Sequence, residues 1–116
     1  MSMTSQDETT RSKPHRRVER ILDGMKVSYL SEHTEFAPYS LDLYLGEYHA
    51  AVEVDGPTHS RAKNAKRDGH LLAEYGVPVL HLGTNETVEV VQDEVRKFIA
   101  EHAPTAKERK HAWLDK

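Results

Sequence analysis

The sequence predicts an α/β (α+β) domain, a central sheet flanked by helices. The element order is α-β-β-β-α-β, with one extra C-terminal helix after the last strand. Three observations carry that reading. Two alternating runs, residues 39–45 and 49–55, are separated by a short polar turn and form the middle of the sheet. Apolar stripes at helical spacing stand near both ends of the chain. A short apolar run at residues 77–82 follows a second helix-like stretch and supplies the last strand.

Each element has a local reason. Residues 1–12 are polar with almost no apolar anchor and read as a flexible tail. Ser12 is placed to cap a helix whose first turn suits Pro14. Val18, Ile21, Leu22 and Met25 then fall at i, i+3, i+4 and i+7. Glu19 stands beside that stripe, and Arg16, Arg17 and Arg20 lie off it or at its edge. Residues 26–36 hold a weakly marked strand, with Val27 and Tyr29 alternating, and Pro38 ends it. In 39–45, Tyr39, Leu41, Leu43 and Leu45 share one face, opposite Ser40, Asp42 and Tyr44. Residues 46–49 are a plausible hairpin connection. In the next strand Ala50, Val52 and Val54 share a face, opposite Ala51, Glu53 and Asp55, and Gly56-Pro57 stops it. Residues 60–75 read as a helix with Gly76 as its stop. Asn85 is placed to cap the last helix, whose stripe is Val88, Val91, Val95, Phe98 and Ile99 and which Pro104 limits. The domain is expected over 13–103, with 104–116 as a polar C-terminal tail carrying the single Trp113.

The 116 residues, 37% hydrophobic and 30% charged, suit one domain with one modest core. No apolar run is long enough to span a bilayer, and the start lacks the basic-then-apolar pattern of a secretory signal. Zero cysteines exclude disulfides and thiolate metal sites and fit a reducing compartment. A net charge of −3 counts against a strong non-specific nucleic-acid binder, although two local clusters are basic.

The acids of the two central runs hold the chemistry. If Leu45 pairs with Ala50 in an antiparallel hairpin, Asp42 falls opposite Glu53 and Ser40 opposite Asp55. Directly opposed residues have Cβ atoms roughly 4.5–5.5 Å apart. Carboxylates that close repel each other. A retained proton relieves the repulsion, and so does a divalent cation such as Mg²⁺. The competing reading is an ordinary solvated face, with Asp55 before Gly56 serving as a turn residue.

A longer pattern surrounds these acids. Asp42 in one strand is followed by Glu53-Val54-Asp55-Gly56-Pro57-Thr58-His59 at the end of the next. Arg67-Asp68 follows in the helix, then Gly76 before an apolar strand, and Glu19 stands in the first helix. Over about residues 14–102 this resembles the small endonuclease-like domains related to very-short-patch-repair endonucleases. These belong to the PD-(D/E)XK, restriction-endonuclease-like superfamily, whose core has the same α-β-β-β-α-β order around a mixed sheet.

The resemblance implies a metal-dependent DNA endonuclease that hydrolyses phosphodiester bonds with Mg²⁺ or Mn²⁺ by nicking, branched-DNA or site-specific cleavage. It makes Asp42 the main metal ligand, with Glu53 or the carbonyl of Val54 as the second. His59 would act as general base or steady the leaving group, and Glu19 would orient water or hold a second metal through it. One departure stands out: the position two after Glu53 is usually Lys and here is Asp55, which would bind metal or orient His59 instead. The superfamily's repair branch also lacks that Lys. That branch often carries a cysteine zinc site, and this chain has none, so mismatch-specific repair is not expected.

Arg16 and Arg17 in the first helix, and Lys63, Lys66 and Arg67 in the second, are candidates for binding DNA phosphates. Solvated helix faces are the competing reading. DNA is the expected partner, with a homodimer or a separate recognition protein supplying specificity and no membrane involved. The expected setting is the cytoplasm of a bacterial or phage-infected cell. The alternative is a non-catalytic nucleic-acid-binding module on the same fold.

Overall fold

The computed structural model describes residues 11–56 and 61–116, which build a four-stranded mixed sheet in the order β1-β2-β3-β4. Helix α1 spans Lys13–Gly24. The strands β1, β2 and β3 span Leu30–His33, Leu41–Leu45 and Ala50–Asp55. Helix α2, Arg61–His70, runs on into one π-helical turn, Leu71–Tyr75, before β4, Val79–Gly83. Helix α3 covers Val88–His102, and a 3-10 turn at Ala103–Thr105 leads into α4, Ala106–Leu114. The first three strands are antiparallel neighbours, and β4 lies parallel to β3 because α2 carries the chain across. This is the predicted element order with a helix added at the end.

Helix α1 starts where Ser12 Oγ accepts the His15 N–H at 3.2 Å, with Pro14 in the first turn. Its stripe of Val18, Ile21 and Leu22 packs with Leu43, Leu45, Val52 and Leu82 of the sheet and Val91 and Val95 of α3. Burying a side chain of this size contributes about 1.5–3 kcal/mol. A second core of Phe36, Leu41, Tyr44, Ala51, Leu71 and Val77 has Trp113 packed against it. Tyr44 and Ala51 alternate with residues of the first core, so the hairpin is covered on both faces. Its acids therefore do not stand on an open, solvated face. Thr87 caps α3, its Oγ1 accepting the Val90 N–H at 3.2 Å, so the cap lies two residues beyond Asn85.

The stretch read as a polar C-terminal tail contains α4. This helix has no apolar stripe; Ala106 is buried, and Arg109 and Trp113 reach back to the domain. Arg109 Nη1 donates to the carbonyls of His49 at 2.6 Å and Gly76 at 2.7 Å. Its Nη2 donates to Tyr48 O at 2.9 Å and His102 O at 2.8 Å, and its Nε to Thr105 Oγ1 at 2.9 Å. Trp113 stacks on His49 with ring centroids 5.3 Å apart and meets Phe36 edge-on at 5.0 Å. The contact explains Gly76: at φ +70°, a Cβ there would stand 2.9 Å from the Arg109 carbonyl oxygen. His49 Nε2 lies 2.7 Å from the Tyr75 carbonyl, and Nδ1 lies 2.7 Å from the Tyr44 hydroxyl. A carbonyl only accepts, so Nε2 carries the proton and Nδ1 accepts from Tyr44. Burial lowers the pKa of this imidazole.

Candidate metal centre and active site

The strand registers place four ionisable residues in one row. In the hairpin Leu43 pairs with Val52, Tyr44 with Ala51 and Leu45 with Ala50, the register assumed above, so Asp42 continues opposite Glu53. On the other side, the pairs Ser31–Leu43 and His33–Leu41 bracket Glu32 opposite Asp42. In the parallel pair Glu53 is matched with His81. The row across the sheet is therefore Glu32, Asp42, Glu53, His81. Glu32 takes a left-handed backbone conformation, φ 54°, which is uncommon outside glycine.

Asp42 and Glu53 fix each other through the backbone. Glu53 Oε2 accepts the Asp42 N–H, and Asp42 Oδ2 accepts the Val54 N–H, both at 2.8 Å. Arg67 comes in from α2, its Nη1 3.1 Å from Glu53 Oε1 and its Nη2 donating to Ser40 O at 2.6 Å. Glu53 is only 6% exposed. Burial pushes its carboxyl up to about 7 and the Asp42 charge adds to that, while Arg67 pulls it down.

At the end of β3, His81 Nδ1 lies 2.6 Å from Asp55 Oδ2 and Nε2 2.5 Å from Asp68 Oδ2. Burial works against a charged ring here, but hydrogen bonds to and charges of Asp68 and Asp55 outweigh it and raise the pKa. Asn64 Nδ2 also approaches Asp55 Oδ2 at 3.5 Å.

Helix α1 supplies the other wall. Glu19 is buried and accepts from the Ser31 hydroxyl. Its Oε2 lies 3.0 Å from Arg11 Nε and 3.4 Å from His15 Nε2. His15, one helical turn before Glu19, is 4% exposed, and its Nε2 is a buried atom without a hydrogen-bond partner. His15, Glu32 and Asp42 each present one ligand atom, and these three atoms lie within 4.8 Å of one another.

The sequence-predicted acids Asp42, Glu53 and Asp55 thus lie on β2 and β3, the two inner strands of the sheet, and Glu19 Oε2 lies 3.4 Å from His15 Nε2. Val54 meets Asp42 by its N–H. His59 lies outside the described residues. Of the cations proposed for DNA, Lys63 and Lys66 are exposed on α2 and Arg16 is half-buried. Arg17 Nη2 donates to Glu86 O at 2.7 Å, and Arg67 is turned onto Glu53 and Ser40.

Sequence reading assigned no role to His15, Glu32, Asp68 or His81. His15 was detectable, since it sits four residues before Glu19 on the same helix face. Glu32 and His81 are identified by strand register alone.

A mixed sheet with helices packed on it, crossed by a row of acids, defines an α+β domain with the fold of an endonuclease catalytic domain. The catalytic domain of the homing endonuclease I-Bth0305I is similar in structure, with a TM-score of 0.60 and 28% sequence identity. The match covers 79% of this chain and 98% of that one. No family model matches the chain, and no curated protein matches it. Among the described residues, no helix is long and apolar enough to cross a membrane.

Proposed function

We propose that this chain is a metal-dependent DNA endonuclease of the PD-(D/E)XK type that hydrolyses phosphodiester bonds. One observation carries the reading: two carboxylates, Asp42 and Glu53, are locked face to face in the sheet, and further donors converge on Asp42. The similarity to the catalytic domain of a homing endonuclease supports it.

The donors fit a divalent cation. Asp42 and Glu32 balance its charge, and the buried His15 Nε2 has no hydrogen bond to give up. Asp42 would be the principal ligand, and Mg²⁺ or Mn²⁺ the ion. When bound, such an ion polarises the scissile phosphate and makes its water a better nucleophile.

The chain's own groups do the rest. Glu53, with a pKa near 7, holds or releases a proton at its carboxyl within the neutral range, which suits general acid–base work. Arg67 keeps that carboxyl oriented. Asp55, standing where the superfamily usually has Lys, is held by His81 together with Asp68. Lys63 and Lys66, on the same helix as Arg67, meet the DNA phosphates and provide affinity without sequence information. A second copy or a separate recognition protein adds specificity.

The test is cleavage of supercoiled plasmid, linear duplex, a four-way junction, single strands and RNA, each with EDTA, Mg²⁺ or Mn²⁺. The expected result is metal-dependent DNA cleavage that Asp42→Ala and Glu53→Ala abolish. Binding without cleavage in any metal would replace this reading with the non-catalytic binding module.

A further inference from the structure

We propose that the cation site of this chain is a mixed nitrogen–oxygen site built from His15, Glu32 and Asp42. It takes first-row metals such as Co²⁺ or Zn²⁺ more tightly than Mg²⁺, and Glu53 lies outside the ligand set. The proposal rests on the metal-dependent reading of the same site and changes its ligands and its preferred ion.

Geometry comes first. The three ligand atoms already lie within 4.8 Å of one another. Donors sharing one ion at bond lengths of about 2.1 Å are at most roughly 4.2 Å apart. Small side-chain adjustments therefore close the set. Glu32 is exposed and free to adjust, while Asp42 is anchored through Oδ2.

Burial is the independent observation. Polar atoms of a side chain as enclosed as His15 are nearly always hydrogen-bonded. Its Nε2 is not, although Glu19 Oε2 stands 3.4 Å away. A neutral imidazole nitrogen is a good ligand for a transition metal.

Glu53 is otherwise engaged. One oxygen accepts the Asp42 N–H and the other lies 3.1 Å from Arg67 Nη1, so both are engaged by the protein. The donor types set the preference. Mg²⁺ favours all-oxygen octahedral surroundings and retains its waters, whereas imidazole favours the later first-row ions in the order Mn²⁺ < Co²⁺ < Ni²⁺.

The experiment is calorimetric titration of the full chain with Co²⁺, Zn²⁺, Mn²⁺ and Mg²⁺ in the absence of DNA, with the visible absorption of Co²⁺ as a second readout. The expected result is Co²⁺ affinity at least tenfold above that for Mg²⁺. His15→Ala and Glu32→Gln should each weaken Co²⁺ by tenfold or more, and Glu53→Gln by less than threefold. Glu32 is exposed, so its variant keeps the fold even if His15→Ala does not. Equal affinity for Mg²⁺ and Co²⁺, or Co²⁺ binding lost in Glu53→Gln but kept in Glu32→Gln, would overturn the proposal. Cleavage assays read the endonuclease proposal separately. Metal binding without cleavage counts against the nuclease alone, and Mg²⁺-driven cleavage indifferent to His15 and Glu32 counts against this ligand set alone.

Discussion

Replacing Glu53 by glutamine keeps the shape of the buried side chain and removes its titration. The native carboxyl is raised from 4.5 to about 7 by burial and by Asp42, against Arg67. The folded state therefore holds the proton more tightly than the unfolded chain does. Stability from this group is fully present below about pH 4.5 and is lost as the pH rises through about 7. The interval between 4.5 and about 7, at about 1.4 kcal/mol per pH unit, sets a ceiling of about 3 kcal/mol. Urea unfolding in EDTA at several pH values should show the parent losing up to that amount relative to Glu53→Gln between about pH 4.5 and 8. The neighbouring His81 titrates in both proteins, so its contribution cancels in the difference. Parallel stability curves for parent and variant would refute the argument, because they would mean that Glu53 is charged in the folded state throughout.

Three further outcomes follow from named contacts. Arg109→Ala removes five hydrogen bonds, three of them to the carbonyls of Tyr48, His49 and Gly76. It should cost about 2–4 kcal/mol in urea unfolding, and a loss under about 0.5 kcal/mol would mean that α4 docks without this arginine. His81→Ala leaves Asp55 and Asp68 without the cation between them and should cost about 1–3 kcal/mol. Because the His81 pKa is raised, that loss should be largest below about pH 6.5 and shrink as the pH rises through the folded value; a pH-independent loss would contradict a charged ring. Changing both Lys63 and Lys66 to Gln should weaken duplex binding and make the salt dependence shallower by roughly 1.8 in log–log slope, measured by anisotropy titration at several salt concentrations. An unchanged slope would remove both lysines from the DNA contact.

The parts of the fold legible in the sequence are those governed by local periodicity. Helix α1 and the hairpin follow from spacing and turn residues, while the pairing of Leu45 with Ala50 had to be assumed. The rest depends on contacts that no local pattern encodes. Helix α4 shows no apolar stripe because one arginine reaching back to four backbone carbonyls does the docking. Glu32 was hidden because β1 is short and weakly alternating, with exposed and half-exposed residues in turn. His81 sits in a parallel strand reached through a helical crossover, and the register of such a strand is set by packing rather than by a turn. Asp42 and Glu53 were visible for the opposite reason: two acids interrupting apolar strands, one hairpin turn apart, face each other in the register that buries the leucines.

Along the row of Glu32, Asp42, Glu53 and His81, Arg67 reaches Glu53 from α2, and His81 lies against both Asp55 and Asp68. Each acid at the β3–β4 side of the row therefore has a cation supplied by the protein, and Arg67 is committed to Glu53. Glu32 and Asp42, at the β1–β2 side, each place a carboxylate oxygen within 4.8 Å of a His15 ring nitrogen. The acids of β3 thus face Arg67 and His81, while those of β1 and β2 converge with His15. A divalent ion drawn to that second group would sit next to, and not on, the carboxyl whose pKa lies near neutrality. That arrangement separates holding the metal from handling the proton, so Asp42→Asn and Glu53→Gln should differ in kind. The first would remove metal affinity. The second would preserve it and still abolish cleavage.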